Sequence, residues 1–113
     1  DTGAMWEKMT GLPVPLGGIV ISRNIDPLVA SKVERAIRRS IEYARSSPRE
    51  SVDFIRQHAR ETDAEVTREH IKLYVNDFSL SLGEEGRRAI EKLFSVALEK
   101  GVANPLPASI FLK

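Results

Sequence analysis

His58 and His70 are the first residues to test for chemistry, because an imidazole titrates near neutral pH and is the commonest metal ligand. They are the only two histidines in the chain. The spacing places them in different helices, and neither a His-x-x-x-His nor a His-Glu-x-x-His pattern occurs, which argues against a zinc-hydrolase site. His58 is expected as a partly exposed helix position, and His70 as a hydrogen-bonded boundary residue rather than a base. There is no cysteine, so disulfides, thiolate catalysis and cysteine-ligated zinc are excluded. Arg35, Arg38, Arg39 and Arg45 could suggest phosphate binding. Glu34 and Glu42 are interleaved with them at four-residue spacing, which reads as a salt-bridged, solvated face. Arg87 and Arg88, beside Glu84 and Glu85, read the same way.

Two short stretches have backbone chemistry of interest. Gly17-Gly18 lies in Leu12-Pro-Val-Pro-Leu-Gly-Gly18. It precedes an apolar run instead of following one and lacks Gly-Lys-Ser/Thr, so it is neither a dinucleotide fingerprint nor a P-loop. Two glycines allow close approach of backbone to a ligand, with amides free to donate, or a tight bend into the next element. The residues alone leave both open. In Tyr74-Val-Asn-Asp-Phe78, Asn76 is placed to cap a helix and Asp77 to fix a turn. No acid–base pair, nucleophile–base pair or metal cluster emerges, so no catalytic residue is assigned.

These residues need elements to hold them. Residues 4–10 form helical turns closed by Gly11, and 12–18 is extended because residues before proline avoid the helical region. Gly18 to Arg23, with Ile19-Val20-Ile21 at its centre, reads as a buried strand. Asp26-Pro27 is a helix start, with Val29, Val33, Ile37, Ile41 and Ala44 following at helical spacing to about Arg45. Ser47-Pro48 with Glu50 predicts a capping box, and Val52, Ile55 and Ala59 the stripe of the next helix. A further helix starts near Asp63, with Val66, His70, Leu73 and Tyr74 on one face. Residues 75–81 read as an irregular connection. Ser81-x-x-Glu84 predicts a second capping box, opening a helix that Gly101 closes. Ser109 to Leu112 reads as a short final strand.

The chain has 113 residues, 42% hydrophobic and 29% charged, a composition of soluble globular proteins. Its 17 basic and 16 acidic side chains leave a formal charge of +1. That balance gives no electrostatic reason to expect nucleic acid or an anionic membrane. No apolar run nears the roughly 20 residues of a membrane helix, and Asp1 to Trp6 lacks the regions of a signal peptide. The expected compartment is the cytoplasm. One clear strand and one short one cannot make a sheet of ordinary size. The expected class is therefore α/β and helix-rich, with an incomplete sheet in this chain.

In order, the segments resemble the C-terminal part of the 1,4-dihydroxy-6-naphthoate synthase family of the futalosine route to menaquinone. The resemblance rests on Trp6, Thr10 to Arg23, Ser40-Ile-Glu-Tyr-Ala44, Ile71 to Leu80 and Leu82-Gly-Glu-Glu-Gly-Arg-Arg-Ala89. Leu-Pro-x-Pro-Leu-Gly-Gly and Tyr-Val-Asn-Asp-Phe are its specific parts. It implies a two-lobed, type II periplasmic-binding-protein-like fold. Residues 12–23 would be a return crossing and the later helices would complete one lobe, with 1–113 as a single unit. It implies conversion of cyclic dehypoxanthinyl futalosine to 1,4-dihydroxy-6-naphthoate without metal or organic cofactor. The histidine such enzymes use as base lies ahead of the matched segment, so neither His58 nor His70 inherits that role. Pro15, Leu16, Gly17 and Gly18 would line the substrate cleft, with Asn76 as a further contact. The implied partners are the small-molecule substrate and a missing N-terminal half, or a second copy through Ile19–Ile21. A solute-binding protein or the sister chorismate dehydratase are the competing readings.

Overall fold

The structure is a computed structural model and describes residues 1–61, 63–106 and 109–112. Six α-helices and one 3-10 turn follow one another in it. Helix α1 (Thr2–Thr10) opens on Asp1, whose carboxylate accepts the Gly3 amide at 2.9 Å. It closes at Gly11, in the left-handed region with φ 69°. Helix α2 (Pro27–Ser46) starts as expected, with Asp26 Oδ1 accepting the amides of Leu28 at 2.8 Å and Val29 at 3.3 Å. Those amides have no partner inside the helix, so the cap relieves donors that are otherwise left to water. Asp26→Ala is expected to cost about 1 kcal/mol, read as a lower urea midpoint at unchanged slope.

Pro48 cannot continue α2, and the chain passes through a 3-10 turn (Pro48–Ser51) into α3 (Val52–His58). The capping box expected at Ser47 does not form: Ser47 makes no side-chain cap bond. Glu50 instead accepts a hydrogen bond from the Tyr43 hydroxyl, which holds the phenol above its ordinary pKa. Val52, Ile55 and Ala59 are half-buried, as their stripe requires.

Helix α4 (Ala64–Tyr74) is capped by Asp63, whose Oδ1 accepts from Glu65 at 2.8 Å and Val66 at 3.1 Å. The bond from Val66, then that from Glu65, holds the Asp63 carboxyl below its ordinary value of 3.8. The bonds favour the ionised form, so their contribution is complete above the ordinary carboxylate range near about 4. It is lost as pH falls through the lower folded-state value. Acid titration of helicity by circular dichroism should show this loss. Asp63→Asn, which keeps the acceptor but cannot titrate, should lack that part of it.

The segment expected to be irregular contains a short helix, α5 (Asp77–Leu80). Four residues cannot hold a helix by propensity; side-chain caps fix this one. Asn76 Oδ1 accepts the Phe78 amide at 3.0 Å, and the Asn76 amide donates to Ser79 Oγ at 3.1 Å. Helix α6 (Gly83–Glu99) also departs from expectation at its start. Gly83 has φ 59°, a left-handed conformation that suits a residue without Cβ. It follows an extended Ser81, and the helix opens on Leu82 with no side-chain cap. At the other end the Gly101 amide reaches Leu98 O and the Val102 amide reaches Ala97 O, both at 3.0 Å. These are the paired bonds of a Schellman ending, with Gly101 in the left-handed position.

Two compact units can be distinguished in the chain: residues 1–20 with 82–113, and residues 21–81. In the first, the Arg87 guanidinium lies 4.8 Å over the Phe111 ring and ties the C-terminal segment to α6. Gly86 and Ala89 are buried there. In the second, α2 packs on α5 and on the 3-10 turn, which also contacts α3; Ala30 is buried.

The expected α/β class is overturned. Among the described residues there is no strand and no sheet. Ile19-Val20-Ile21 lies in irregular backbone, with Ile19 76% and Val20 92% exposed. Ser109 to Leu112 likewise forms no strand. A strand exists only through the hydrogen-bond ladder of a neighbour, and no described residue supplies one. An incomplete sheet within a periplasmic-binding-protein-like fold is therefore not what this chain forms. The helix-rich half of the expectation agrees with the structure. Apolar side chains without cover extend further: Val66, Leu73 and Tyr74 of the expected α4 face are all exposed.

Candidate functional site

Pro15, Leu16, Gly17 and Gly18 belong to the first unit and Asn76 to the second. The four form one irregular stretch: Pro15 is half-buried, while Leu16, Gly17 and Gly18 are exposed. Upstream, the Thr10 hydroxyl accepts the Leu12 amide at 3.2 Å, which pins the start of the stretch to the end of α1. Neither Gly17 nor Gly18 has a positive φ, and a Cβ built on either would meet nothing within 4 Å. Local structure therefore gives no reason for glycine at these positions.

Asn76 is largely occupied by the backbone around it. Beyond its Phe78 bond, its Nδ2 donates to Leu73 O at 3.0 Å, so one side chain ends α4 and starts α5. One hydrogen on Nδ2 remains to spare. Next to it, Arg45 Nη1 of α2 meets Asp77 Oδ1 at 3.0 Å across 32 residues of sequence. Sequence spacing could not have revealed that contact, because only i,i+3 and i,i+4 neighbours are legible on a helix.

Both histidines have local uses. His58 Nδ1 is 2.8 Å from Phe54 O, and its ring stacks on Phe54 with centroids 4.2 Å apart. His70 meets the Tyr74 ring edge-on at 6.1 Å. Among the described residues no group of three or more His, Cys, Asp or Glu could hold a metal. On α2, Arg38 meets Glu42 at 3.1 Å, one of the two partners its spacing offered, whereas Arg87 lies over Phe111. On α4, Arg68 pairs with Glu65 and lowers its carboxyl pKa, and Glu69, 2.7 Å from Lys72, raises that amine. All of these ion pairs are exposed and are worth little to stability.

Trp6 is a feature that sequence reading treated only as a matching residue. Its Nε1 is buried and has no hydrogen-bond partner among the described residues. A buried donor left unsatisfied costs about 1–3 kcal/mol. A groove of about 410 Å³ lies between α6 and the C-terminal segment, walled by Phe94, Leu98, Leu106 and Phe111. A wider hollow along α2, bordered by Ala36, Ser40 and Tyr43, is open to solvent. Neither contains Pro15 to Gly18 or Asn76.

These parts are exposed glycine backbone, a capped turn and apolar faces lacking cover. A profile of the menaquinone biosynthesis family matches residues 1–99, and the chain belongs to that family. A 1,4-dihydroxy-6-naphthoate synthase of Thermus thermophilus is 45% identical over 112 residues, 99% of this chain and 41% of that relative. One of Streptomyces coelicolor is 39% identical over 106 residues, 94% of this chain and 38% of the relative. The chain thus spans about two-fifths of the length of these relatives.

Proposed function

We propose that this chain is the part of a menaquinone-pathway carbon–carbon lyase that completes its substrate site, in an enzyme converting cyclic dehypoxanthinyl futalosine to 1,4-dihydroxy-6-naphthoate in the cytoplasm. The observation that carries the reading is the match of 99% of the chain to a named synthase at 45% identity. No helix among the described residues is long and apolar enough to cross a membrane.

Pro15, Leu16, Gly17 and Gly18 line the substrate cleft in this reading, and Asn76 contributes its spare amide hydrogen. The exposed glycines support it, since open space around both α-carbons leaves room for another group to approach the backbone. The remaining partner is the rest of the enzyme. It would cover Ile19 and Val20 and offer an acceptor to Trp6 Nε1; the alternative occupant of that apolar edge is a second copy of this chain. No base is assigned within the chain, so proton removal falls to a residue of the remaining part.

The test is a chimera in which this sequence replaces the matched region of the Thermus thermophilus synthase. Formation of 1,4-dihydroxy-6-naphthoate from the cyclic futalosine, followed by liquid chromatography, is the expected result. A chimera that folds and binds the substrate yet forms no product would refute the reading.

A further inference from the structure

Arg45, one residue past the Ser40–Ala44 segment at the end of α2, reaches Asp77 in the Tyr74-Val-Asn-Asp-Phe turn. The chemistry of the contact is directional. Arg45 sits in the last turn of α2, where carbonyl groups lack partners and positive charge is favoured. Asp77 is the first residue of α5, at the N-terminal end, where peptide dipoles favour negative charge. Each charge therefore suits its own helix end, and the pair bridges the two ends at 3.0 Å. Helix α5 is too short to place itself, and the caps from Asn76 and Ser79 are local to it. The tie to Arg45 reaches it from another helix, within one compact unit.

The geometry points to Arg45 as a positioning residue: through Asp77 it holds the Asn76 turn against α2, and so sets where the Asn76 amide meets substrate. The second half of this statement rests on the reading of Asn76 as a substrate contact. The side chains are 47% and 92% exposed, so the pair adds little to global stability. Its effect is local order.

Hydrogen exchange on the 113-residue chain tests the first half. Arg45→Ala should speed exchange of the Phe78, Ser79 and Ser81 amides by about 1.4-fold to fivefold, the range of an exposed pair. Arg45→Lys should restore protection. In an Asp77→Ala background, Arg45→Ala should bring no further acceleration, because Arg45 acts on α5 through that one contact. Arg38→Ala, which breaks the separate pair with Glu42 on the same helix, should leave these amides unchanged. Unchanged exchange in Arg45→Ala overturns the proposal.

The chimeric synthase tests the second half. Arg45→Ala should raise KM for the cyclic futalosine about threefold to fivefold with kcat nearly constant, and Arg45→Lys should restore it. A raised KM in Asn76→Ala with none in Arg45→Ala overturns the positioning role while the substrate contact survives. No change in either variant removes Asn76 from the substrate contacts, and the role of Arg45 with it.

Discussion

The purified 113-residue chain, supplied with cyclic dehypoxanthinyl futalosine, is expected to release no 1,4-dihydroxy-6-naphthoate above background. The magnitude follows from what is missing. Neither histidine is placed as a base: His58 is engaged with Phe54 O and the Phe54 ring, and His70 borders Tyr74 on an exposed face. A positioned general base is worth about 10²–10⁴ in rate. Holding substrate against it supplies more, through the entropy already spent on orientation. A chain with neither should fall at least about 10⁴-fold below the chimera. Chromatography of the product over a long incubation, with the chimera at matched concentration, makes the comparison. Sustained product formation by the isolated chain would sink both the inactivity and the assignment of proton removal to the remaining part.

Where sequence reading succeeded, the controlling interaction was local. Asp26-Pro27 and Asp63 start helices because each carboxylate reaches amides two and three residues ahead. Gly11 and Gly101 end helices for an equally local reason, a left-handed backbone. The two failed capping boxes show the limit of the pattern. At Ser47, the Glu50 carboxylate had a competing donor in Tyr43, seven residues back on another helix. At Ser81, the chain stays extended and enters α6 through a left-handed Gly83, a detail the Ser-x-x-Glu pattern does not encode.

The strand failed for a different reason. The apolarity of Ile19-Val20-Ile21 says that the segment favours cover; it does not say that the cover lies within the same 113 residues. Burial and ladder hydrogen bonds are properties of a pair, and no described residue supplies the second member. The same holds for the candidate site. Residue types drew attention to Gly17-Gly18 and Asn76, yet the Arg45–Asp77 contact, 32 residues apart, depends on how α2 and α5 pack. Trp6 Nε1 is the counterpart from the structure's side, a donor whose lack of an acceptor among the described residues appears only once its surroundings are placed.

Gly17 and Gly18 offer the sharpest separation of fold from function, because substitution there should move stability and activity in opposite directions. Both have ordinary negative φ, and nothing lies within 4 Å of a built Cβ. Alanine can adopt such a conformation without strain and lowers the entropy of the unfolded chain. Each Gly→Ala change should therefore stabilise the 113-residue chain by about 0.4–1 kcal/mol, measured as a higher urea midpoint. If the same positions face substrate in the chimeric synthase, as proposed, a side chain there would intrude on the backbone's approach. A displacement of about 1 Å in a bound reactant costs about 100-fold in rate, and Gly17→Val, with its branched Cβ, should reach that loss in kcat/KM. If the glycines served only as a bend in the chain, stability would fall and activity would follow it in proportion. If stability rises and activity stays at the level of the parent chimera, the stretch does not contact substrate. A gain in stability in Gly→Ala with a hundredfold loss of kcat/KM in Gly17→Val is the result that a ligand-facing backbone requires.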